Sequence, residues 1–231
     1  MVNQDQWCFS WLADNPNATG QDKAAFLKAS MWTPGEIIKI AFLDGDPAVQ
    51  ARVRREAVKW TRNEGGPANL TFSFIPDPNN ADIRISFKFA GSWSVLGKTC
   101  RQVTPKTSPT MNYGWLTTAS TDAEVERVVL HEFGHALGLV HEHLSPNVSV
   151  PWDKPRVYAD LGGPPNNWDA AKVDTNMFNA FAANEMNASS FDKDSIMLYP
   201  IPVTWTTNGF SSGLNTKMSA QDIAFVRKCY P

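Results

Sequence analysis

The pattern of apolar and polar residues predicts strands and a helix in the N-terminal half. The apolar stretch at 37–43 is bounded by glycine and aspartate residues typical of turns, and it predicts a strand. From Pro47 to about Glu64, apolar residues recur every three or four positions, which predicts an amphipathic helix. Alternate residues are apolar at 70–74 and at 83–87, which predicts two more strands. A helix that lies between strands along the chain suggests an α/β arrangement of this N-terminal half, in which helices pack on a sheet.

The C-terminal half carries the start and stop sequences of a long helix. Thr121-x-x-Glu124 is a capping-box sequence that opens a helix reaching about Leu137, and Gly138 stops it. The segment at 145–168 is rich in proline and is predicted to be mostly irregular.

A last helix is predicted close to the end of the chain. Ser219-x-x-Asp222 is its capping sequence, and Ile223 and Val226 are its predicted buried pair.

Composition narrows the class of protein. The 231 residues suit one large domain or two closely packed subdomains, and the formal net charge is −2. No block of like charge indicates nucleic acid or an anionic membrane as a partner. The first thirty residues lack the apolar core of a signal peptide, so a leader is absent from this sequence or export takes another route. Four N-x-S/T acceptors favour a secreted protein, namely Asn17, Asn69, Asn147 and Asn187.

All four histidines of the chain lie between positions 131 and 143. His131 and His135 are one helical turn apart, so both imidazoles can reach the same ion. Gly138 can adopt a positive φ and turn the chain back, which brings His141 in as a third ligand. Three imidazoles leave a fourth position open on zinc, as in catalytic sites. Glu132 lies beside the pair and is suited to activate a water molecule.

The alternative is that two histidines four residues apart arise by accident on an amphipathic helix. The third histidine and the glycine at the bend argue against that interpretation. His143 lies beyond the third ligand, and we expect it at the solvent-facing rim without a metal role.

The motif His131-Glu132-x-x-His135-x-x-Gly138-x-x-His141 resembles the signature of the metzincin metalloproteases. Glu142, directly after the third histidine, resembles the astacin branch. The segment 195–199 is similar to the Met-turn that lies beneath zinc in metzincins. In the astacin version a tyrosine follows two residues after the methionine, as Tyr199 follows Met197 here. Leu198 and the sequence after Glu142 depart from animal astacins and suggest a divergent, microbial-type member.

The resemblance implies an α+β, metzincin-like fold. We expect an N-terminal mixed β-sheet with helices at about 1–140, and an irregular C-terminal subdomain with a final helix at about 141–231. Together they form one catalytic domain, with the zinc helix at the cleft. The strand at 83–87 would be the edge strand on which an extended peptide docks by β-augmentation.

The resemblance also implies a function. The chain would be a monomeric, secreted zinc endopeptidase that binds one Zn²⁺ through His131, His135 and His141 and cleaves protein or peptide substrates. Glu132 would be the catalytic base, and Tyr199 a distant metal ligand that donates to the oxyanion. Two alternatives stay open: a non-catalytic zinc-stabilised peptide-binding module, and a metal-dependent hydrolase of a non-peptide bond.

Two roles remain undecided by the sequence. Glu142 either contacts the mature N-terminus, as in the family, or is a solvated carboxylate near the metal. Chain termini often lie close together, so we expect Cys8 to pair with Cys229 and to leave Cys100 free. The alternative is that the Cys8 thiolate reaches the zinc as an inhibitory ligand.

Overall fold

The computed structural model describes residues 8–11, 30–145, 148–164, 166–179 and 191–231. Within these ranges there are six strands and five α-helices. The strands are β1 Cys8–Trp11, β2 Ile37–Phe42, β3 Thr71–Phe74, β4 Ile83–Ser86, β5 Ser92–Val95 and β6 Met111–Tyr113. The helices are α1 Pro47–Ala57, α2 Asp122–Ala136, α3 Lys154–Gly162, α4 Ala170–Val173 and α5 Ala220–Cys229. None of the described helices is long and apolar enough to span a bilayer.

The strands form one mixed sheet in the order β1-β5-β6-β4-β2-β3. All neighbouring pairs are parallel except β5 and β6, which are antiparallel. The helix α2 packs on the sheet and contacts β5 and α1. This arrangement confirms the expected α+β fold with an N-terminal mixed sheet.

The expectation that 83–87 forms an edge strand is wrong. Strand β4 lies between β2 and β6, and all four of its residues are buried. Its alternating pattern suggested one exposed face, but the polar residues between the isoleucines are satisfied internally. The buried Arg84 guanidinium donates to the carbonyls of Ser108 and Val103 at 2.8 and 3.0 Å. The Ser86 hydroxyl donates to Asp44 at 2.7 Å.

The described residues of 145–168 are mostly irregular, as predicted, but the segment also contains the helix α3. Asp153 caps the helix by accepting a hydrogen bond from the Arg156 N–H at 3.2 Å. Pro155 occupies the first turn, where a missing N–H costs no intrahelical hydrogen bond. Proline here therefore marks the beginning of a helix.

The predicted helix from Pro47 to about Glu64 is α1 followed by two short 3₁₀ turns, Val58–Trp60 and Arg62–Glu64. The capping box of α5 is confirmed, with both reciprocal hydrogen bonds present. Its buried pair differs from the prediction, because Val226 is buried but Ile223 is only half-buried. Asp222 occupies the other buried position.

The buried apolar side chains of the described residues form two clusters. The larger one joins the sheet, α1 and α2, and it also includes Val226 and Tyr230 from the end of the chain. The second belongs to the C-terminal part and includes residues of α3 together with Trp168 and Trp205. Met197 belongs to the first cluster and Leu198 to the second, so the two cores meet within the segment 195–199.

The expected Cys8–Cys229 disulfide is not formed, because Cys229 is a free thiol. Cys100 is free, as predicted, and buried. The side chain of Cys8 lies outside the described residues, and so do three of the four N-x-S/T acceptors, Asn17, Asn147 and Asn187.

Candidate active site

The helix α2 presents the first two histidines and ends where the sequence predicts. Gly138 has a φ of 92°, a left-handed conformation that favours glycine. Its N–H donates to the His135 carbonyl at 2.8 Å, and the Leu139 N–H donates to the Gly134 carbonyl at 3.0 Å. These two bonds form a Schellman-type end. The chain then turns back, which brings His141 to the other two histidines.

One ligand nitrogen from each of His131, His135 and His141 lies within 4.8 Å of the others, and all three residues are buried. The His131 Nδ1–H donates to the Ile196 carbonyl and the His135 Nδ1–H to the Leu139 carbonyl, both at 2.8 Å. These bonds leave the lone pairs on Nε2. The His131 Nε2 is buried without a hydrogen-bond partner, and the Nε2 atoms of His135 and His141 are only 3.1 Å apart.

A shared cation explains this convergence of buried lone pairs. Three imidazole nitrogens suit Zn²⁺ and leave a coordination position open. Hydrogen bonds from the second ring nitrogen to a carbonyl are typical of metal-binding histidines. The residues present therefore fit one zinc ion per chain.

Burial keeps the imidazoles neutral. It is the main cause that lowers the pKa of His131 and His141 well below 6.5, and neighbouring histidines act in the same direction. Burial also lowers the pKa of His135 to about 4. A neutral imidazole is the form that binds a metal.

Glu132 follows the first histidine on α2, and its side chain is completely buried. It is not one of the three ligands that converge. Its carboxyl group is therefore a buried acid on the helix that carries His131 and His135.

The predicted Met-turn packs directly against α2. An added Cβ on Gly134 would lie 2.3 Å from the Met197 Sδ, so a larger residue at this helix position would require the methionine side chain to shift. The Glu142 N–H donates to the Met197 carbonyl at 3.1 Å, which links the turn to the third histidine. A glycine between two ligands of one helix indicates such a close approach, but the partner could not be inferred from the sequence.

The buried carboxylate of Asp222 anchors the same turn. It accepts hydrogen bonds from the Ser195 hydroxyl at 2.7 Å and from the Ile196 N–H at 2.8 Å. It also accepts from the Ser219 N–H at 2.8 Å as part of the cap of α5. Sequence reasoning found the cap but missed the anchor.

Tyr199 lies at the histidine cluster, as the motif predicts. Its ring centroid is 4.1 Å from that of His141 and 6.0 Å from that of His131. The side chain is buried, and its backbone carbonyl accepts a hydrogen bond from the Ser212 hydroxyl at 2.7 Å.

The placement of His143 at a solvent-facing rim is wrong, because only 3% of it is exposed. Its Nε2–H donates to the Asn176 carbonyl at 2.8 Å, and its ring packs 5.1 Å from Tyr199. Asn176 lies in a π-helical turn, Asp174–Phe178, and such turns often occur at functional sites. In the sequence, a polar residue next to a metal ligand cannot be distinguished from a residue at the solvent-facing rim. Only the fold shows that His143 is internal.

Glu142 is half-buried and accepts a hydrogen bond from the Asp192 N–H at 3.0 Å. Burial raises the pKa of its carboxyl to about 7, and the nearby Asp222 and Asp192 add to that effect. The Glu142 carboxylate is therefore not fully solvated. The contact between Glu142 and the mature N-terminus stays a prediction, because residues 1–7 lie outside the described residues.

Two side chains distant in sequence complete the end of α2. The indole N–H of Trp32 donates to the Ala136 carbonyl at 2.7 Å, and the Tyr230 hydroxyl donates to the Leu137 carbonyl at 2.5 Å. These bonds satisfy carbonyls that a helix end leaves without intrahelical partners.

Known proteins share this sequence and geometry. The family model of the matrixins (Peptidase_M10) matches residues 38–158. A solved structure of myroilysin is 39% identical, has a TM-score of 0.83, and the match covers 89% of this chain and 97% of that chain. A second crystal structure of myroilysin is 35% identical with a TM-score of 0.71, covering 99% of this chain and 92% of that chain.

A more distant match is High choriolytic enzyme 1, a hatching-enzyme zinc protease from the medaka fish Oryzias latipes. It is 18% identical with a TM-score of 0.59, covers 88% of this chain and 95% of that chain, and supports the fold alone. No curated protein sequence matches the chain significantly. The matrixin match spans more than half of the sequence, the myroilysin structures share the fold along nearly its full length, and the three histidines converge as a zinc site requires. The chain belongs to the metzincin zinc metalloproteases.

Proposed function

We propose that this metalloprotease is an endopeptidase that hydrolyses extended polypeptides, with Glu132 activating the attacking water. The observation that carries the proposal is the fully buried Glu132 carboxylate beside three converging imidazoles. When bound, zinc supplies a Lewis acid that lowers the pKa of water and offsets negative charge on the scissile carbonyl.

The residues of the chain supply the remaining chemistry. The Ile196 and Leu139 carbonyls hold the rings of His131 and His135 with Nε2 facing inward. Glu132 takes a proton from the attacking water and returns it to the leaving amine. The Tyr199 hydroxyl donates a hydrogen bond to the oxyanion that forms at the scissile carbonyl.

The substrate docks as an additional strand by β-augmentation at an edge of the sheet. Strand β4 is interior, and the edges of the described sheet are β1 and β3. Strand β1 contacts α2, the helix that carries His131 and His135, and this contact supports docking at the outer edge of β1.

The organisation of the protein completes the proposal. Residues 1–231 form one catalytic domain with a subdomain boundary at about 140, and the enzyme is a secreted, astacin-like monomer with no nucleic-acid or membrane partner. The tyrosine that follows Met197 by two residues supports the astacin branch.

Replacement of Glu132 by Gln tests the mechanism. The variant should retain one zinc per chain, because Glu132 is not a ligand, and should lose about 10²–10⁴-fold in kcat on casein. Zinc content is measured by atomic absorption, and 1,10-phenanthroline should abolish wild-type activity.

Other results would support the alternatives. A zinc-loaded wild-type protein that binds peptides without cleaving them would be a binding module. Cleavage of esters but not of casein would indicate a hydrolase of a non-peptide bond. Wild-type turnover by the Gln variant would exclude Glu132 as the base.

A further inference from the structure

His143 is a buried imidazole beside the active site to which the proposed mechanism gives no role. Only 3% of the side chain is exposed, and the residue belongs to a short 3₁₀ turn, Glu142–Leu144. It is not among the three histidines whose nitrogens converge. Its contacts therefore have to explain why it is there.

Three rings pack against one another at this place. The centroid of the Tyr199 ring lies 4.1 Å from that of His141 and 5.1 Å from that of His143. The rings of His141 and His143 are 5.5 Å apart, with only 19° between their planes. The Trp152 ring meets His143 edge-on at 5.9 Å. Tyr199 thus packs on His143 as well as on the third histidine of the site.

A backbone hydrogen bond fixes the orientation of the His143 ring. Its Nε2–H donates to the carbonyl of Asn176, a buried residue, at 2.8 Å. The Asn176 amide in turn donates to the Lys172 carbonyl at 2.9 Å, which ties the π-helical turn to the helix α4 before it. An imidazole held at one edge presents a fixed surface to Tyr199.

The fold alone does not require a histidine at this position. With the proton on Nε2, the His143 Nδ1 is an acceptor, and it is buried without a hydrogen-bond partner in the described part of the chain. An unpaired buried acceptor costs about 1–3 kcal/mol, which an apolar side chain would avoid. Histidine combines a flat ring with an N–H donor, and both are used here, the ring on Tyr199 and the donor on Asn176.

We propose that His143 is a positioning residue that holds the Tyr199 ring against His141, an inference that rests on the proposed role of Tyr199. The packing keeps the Tyr199 hydroxyl where it donates to the oxyanion. A misplacement of about 1 Å can cost about 10²-fold in rate, so a ring fixed on two sides retains more of the effect of its hydroxyl. His143 itself touches no reacting atom and acts through Tyr199.

A double-mutant cycle on one peptide substrate tests this coupling. His143→Ala should lower kcat about 10-fold with little change in KM, because the positioned hydroxyl acts in the transition state. In a Tyr199→Phe background the same substitution should have no further effect on kcat, since the hydroxyl is already absent. Trp168→Leu removes another buried ring from the cluster that contains Tyr199, and as the matched control it should leave kcat unchanged.

Two further variants separate the ring of His143 from its hydrogen bond. His143→Phe keeps a ring and should recover part of the kcat that His143→Ala loses. His143→Gln keeps a donor without the ring and should be as slow as His143→Ala. Chelator competition should give the wild-type zinc affinity for all three variants, and melting temperatures confirm that each is folded.

A spectroscopic measurement follows Tyr199 without substrate. The chain has four tyrosines, so labelling with fluorotyrosine gives a simple fluorine spectrum in which Tyr199→Phe identifies the Tyr199 resonance. His143→Ala should shift that resonance, and Trp168→Leu should leave it in place.

Three results would overturn the inference. Equal effects of His143→Ala on kcat in both backgrounds would mean that His143 acts independently of Tyr199. Weaker zinc binding by folded His143→Ala would mean that the imidazole supports His141 instead. An unshifted Tyr199 resonance would show that His143 does not hold the ring. If Tyr199→Phe alone has normal kcat, or if the zinc-loaded wild-type protein cleaves no peptide, the proposed function itself fails and the inference falls with it.

Discussion

Backbone carbonyls orient the imidazoles of this protein. His131, His135 and His143 each donate to a carbonyl, and two of these partners are 65 and 33 residues away in sequence. The motif predicted which imidazoles converge because their spacing on a helix is local. It could not predict the carbonyls, since those depend on how distant segments pack. The same limit explains why His143 was placed at the surface.

Tyr199→Phe separates the chemical role of the phenol from its packing. The variant keeps the ring that packs against His141 and removes only the hydroxyl. We expect unchanged zinc content and a kcat lowered by about 10²-fold or more, with a much smaller change in KM, because the lost donor acts on the oxyanion. Steady-state kinetics on one peptide would measure both.

The control is Tyr158→Phe, which removes a hydroxyl that donates to Asp174 in the same C-terminal core. It should leave kcat and KM unchanged. Normal kcat in a fully metallated Tyr199→Phe protein would contradict the proposed role of the phenol and leave the histidine site intact.

Helix α2 and the Met-turn meet where Met197 packs against Gly134, and a side chain at position 134 would contact the methionine. The sequence predicted both elements, because each has a strong local pattern. It missed β5 and β6, which are three or four residues long and carry buried polar residues. Asn112 is an example, since its amide donates to the carbonyls of Phe89 and Gly91 at 2.8 and 2.7 Å. Alternation of apolar residues cannot identify strands whose polar groups are satisfied inside the fold.

Gly134→Ala tests the contact between these two elements. Alanine favours a helix over glycine by about 1 kcal/mol, but the added methyl group would lie where the Met197 Sδ now lies. Overpacking typically costs about 1–3 kcal/mol, so after this gain we expect a net loss of stability of up to about 2 kcal/mol and weaker zinc binding. Urea unfolding and chelator competition measure the two effects.

Gly213→Ala is the control, since nothing lies within 4 Å of an added Cβ there. It should leave zinc affinity unchanged. A Gly134→Ala protein that is as stable as the wild type would show that Met197 moves aside without cost.

The described residues form two apolar cores, which meet in the segment 195–199 beneath the histidine site. The order of the strands could not be read from the sequence, because it depends on pairings between segments far apart, such as β4 with β6. For the same reason the boundary expected at about 140 is crossed by Val226 and Tyr230, which return to the N-terminal core. Local patterns predicted the elements of the fold, and long-range packing determined their neighbours.

The metal-free protein should lose stability in acid, because all four histidines are buried with a lowered pKa. An unfolded imidazole takes up a proton below about pH 6.5, whereas burial lowers the pKa of His135 and His143 to about 4. The unfolded state thus binds more protons, and each imidazole lowers the unfolding free energy by up to about 1.4 kcal/mol per pH unit as pH falls between these values.

Two carboxyls act in the opposite direction, because burial raises the pKa of Glu142 to about 7 and also raises the pKa of Asp222. The folded state therefore holds a proton on Glu142 that the unfolded state releases above about pH 4.5. Four imidazoles outweigh these two carboxyls. Urea unfolding of the metal-free protein at pH 7, 6 and 5 should show a steady decline, and equal stability at the three values would contradict the burial of neutral imidazoles.

Asp222 links the last helix to the segment beneath the metal site. The same carboxylate starts α5 and holds Ser195 and Ile196 beneath the metal site. A substitution there would disturb the last helix and the active site together, so natural drift at position 222 requires compensating changes in both. The end of the chain is therefore expected to evolve in step with the catalytic centre, and grafting α5 from a relative should succeed only when its Met-turn is transferred as well.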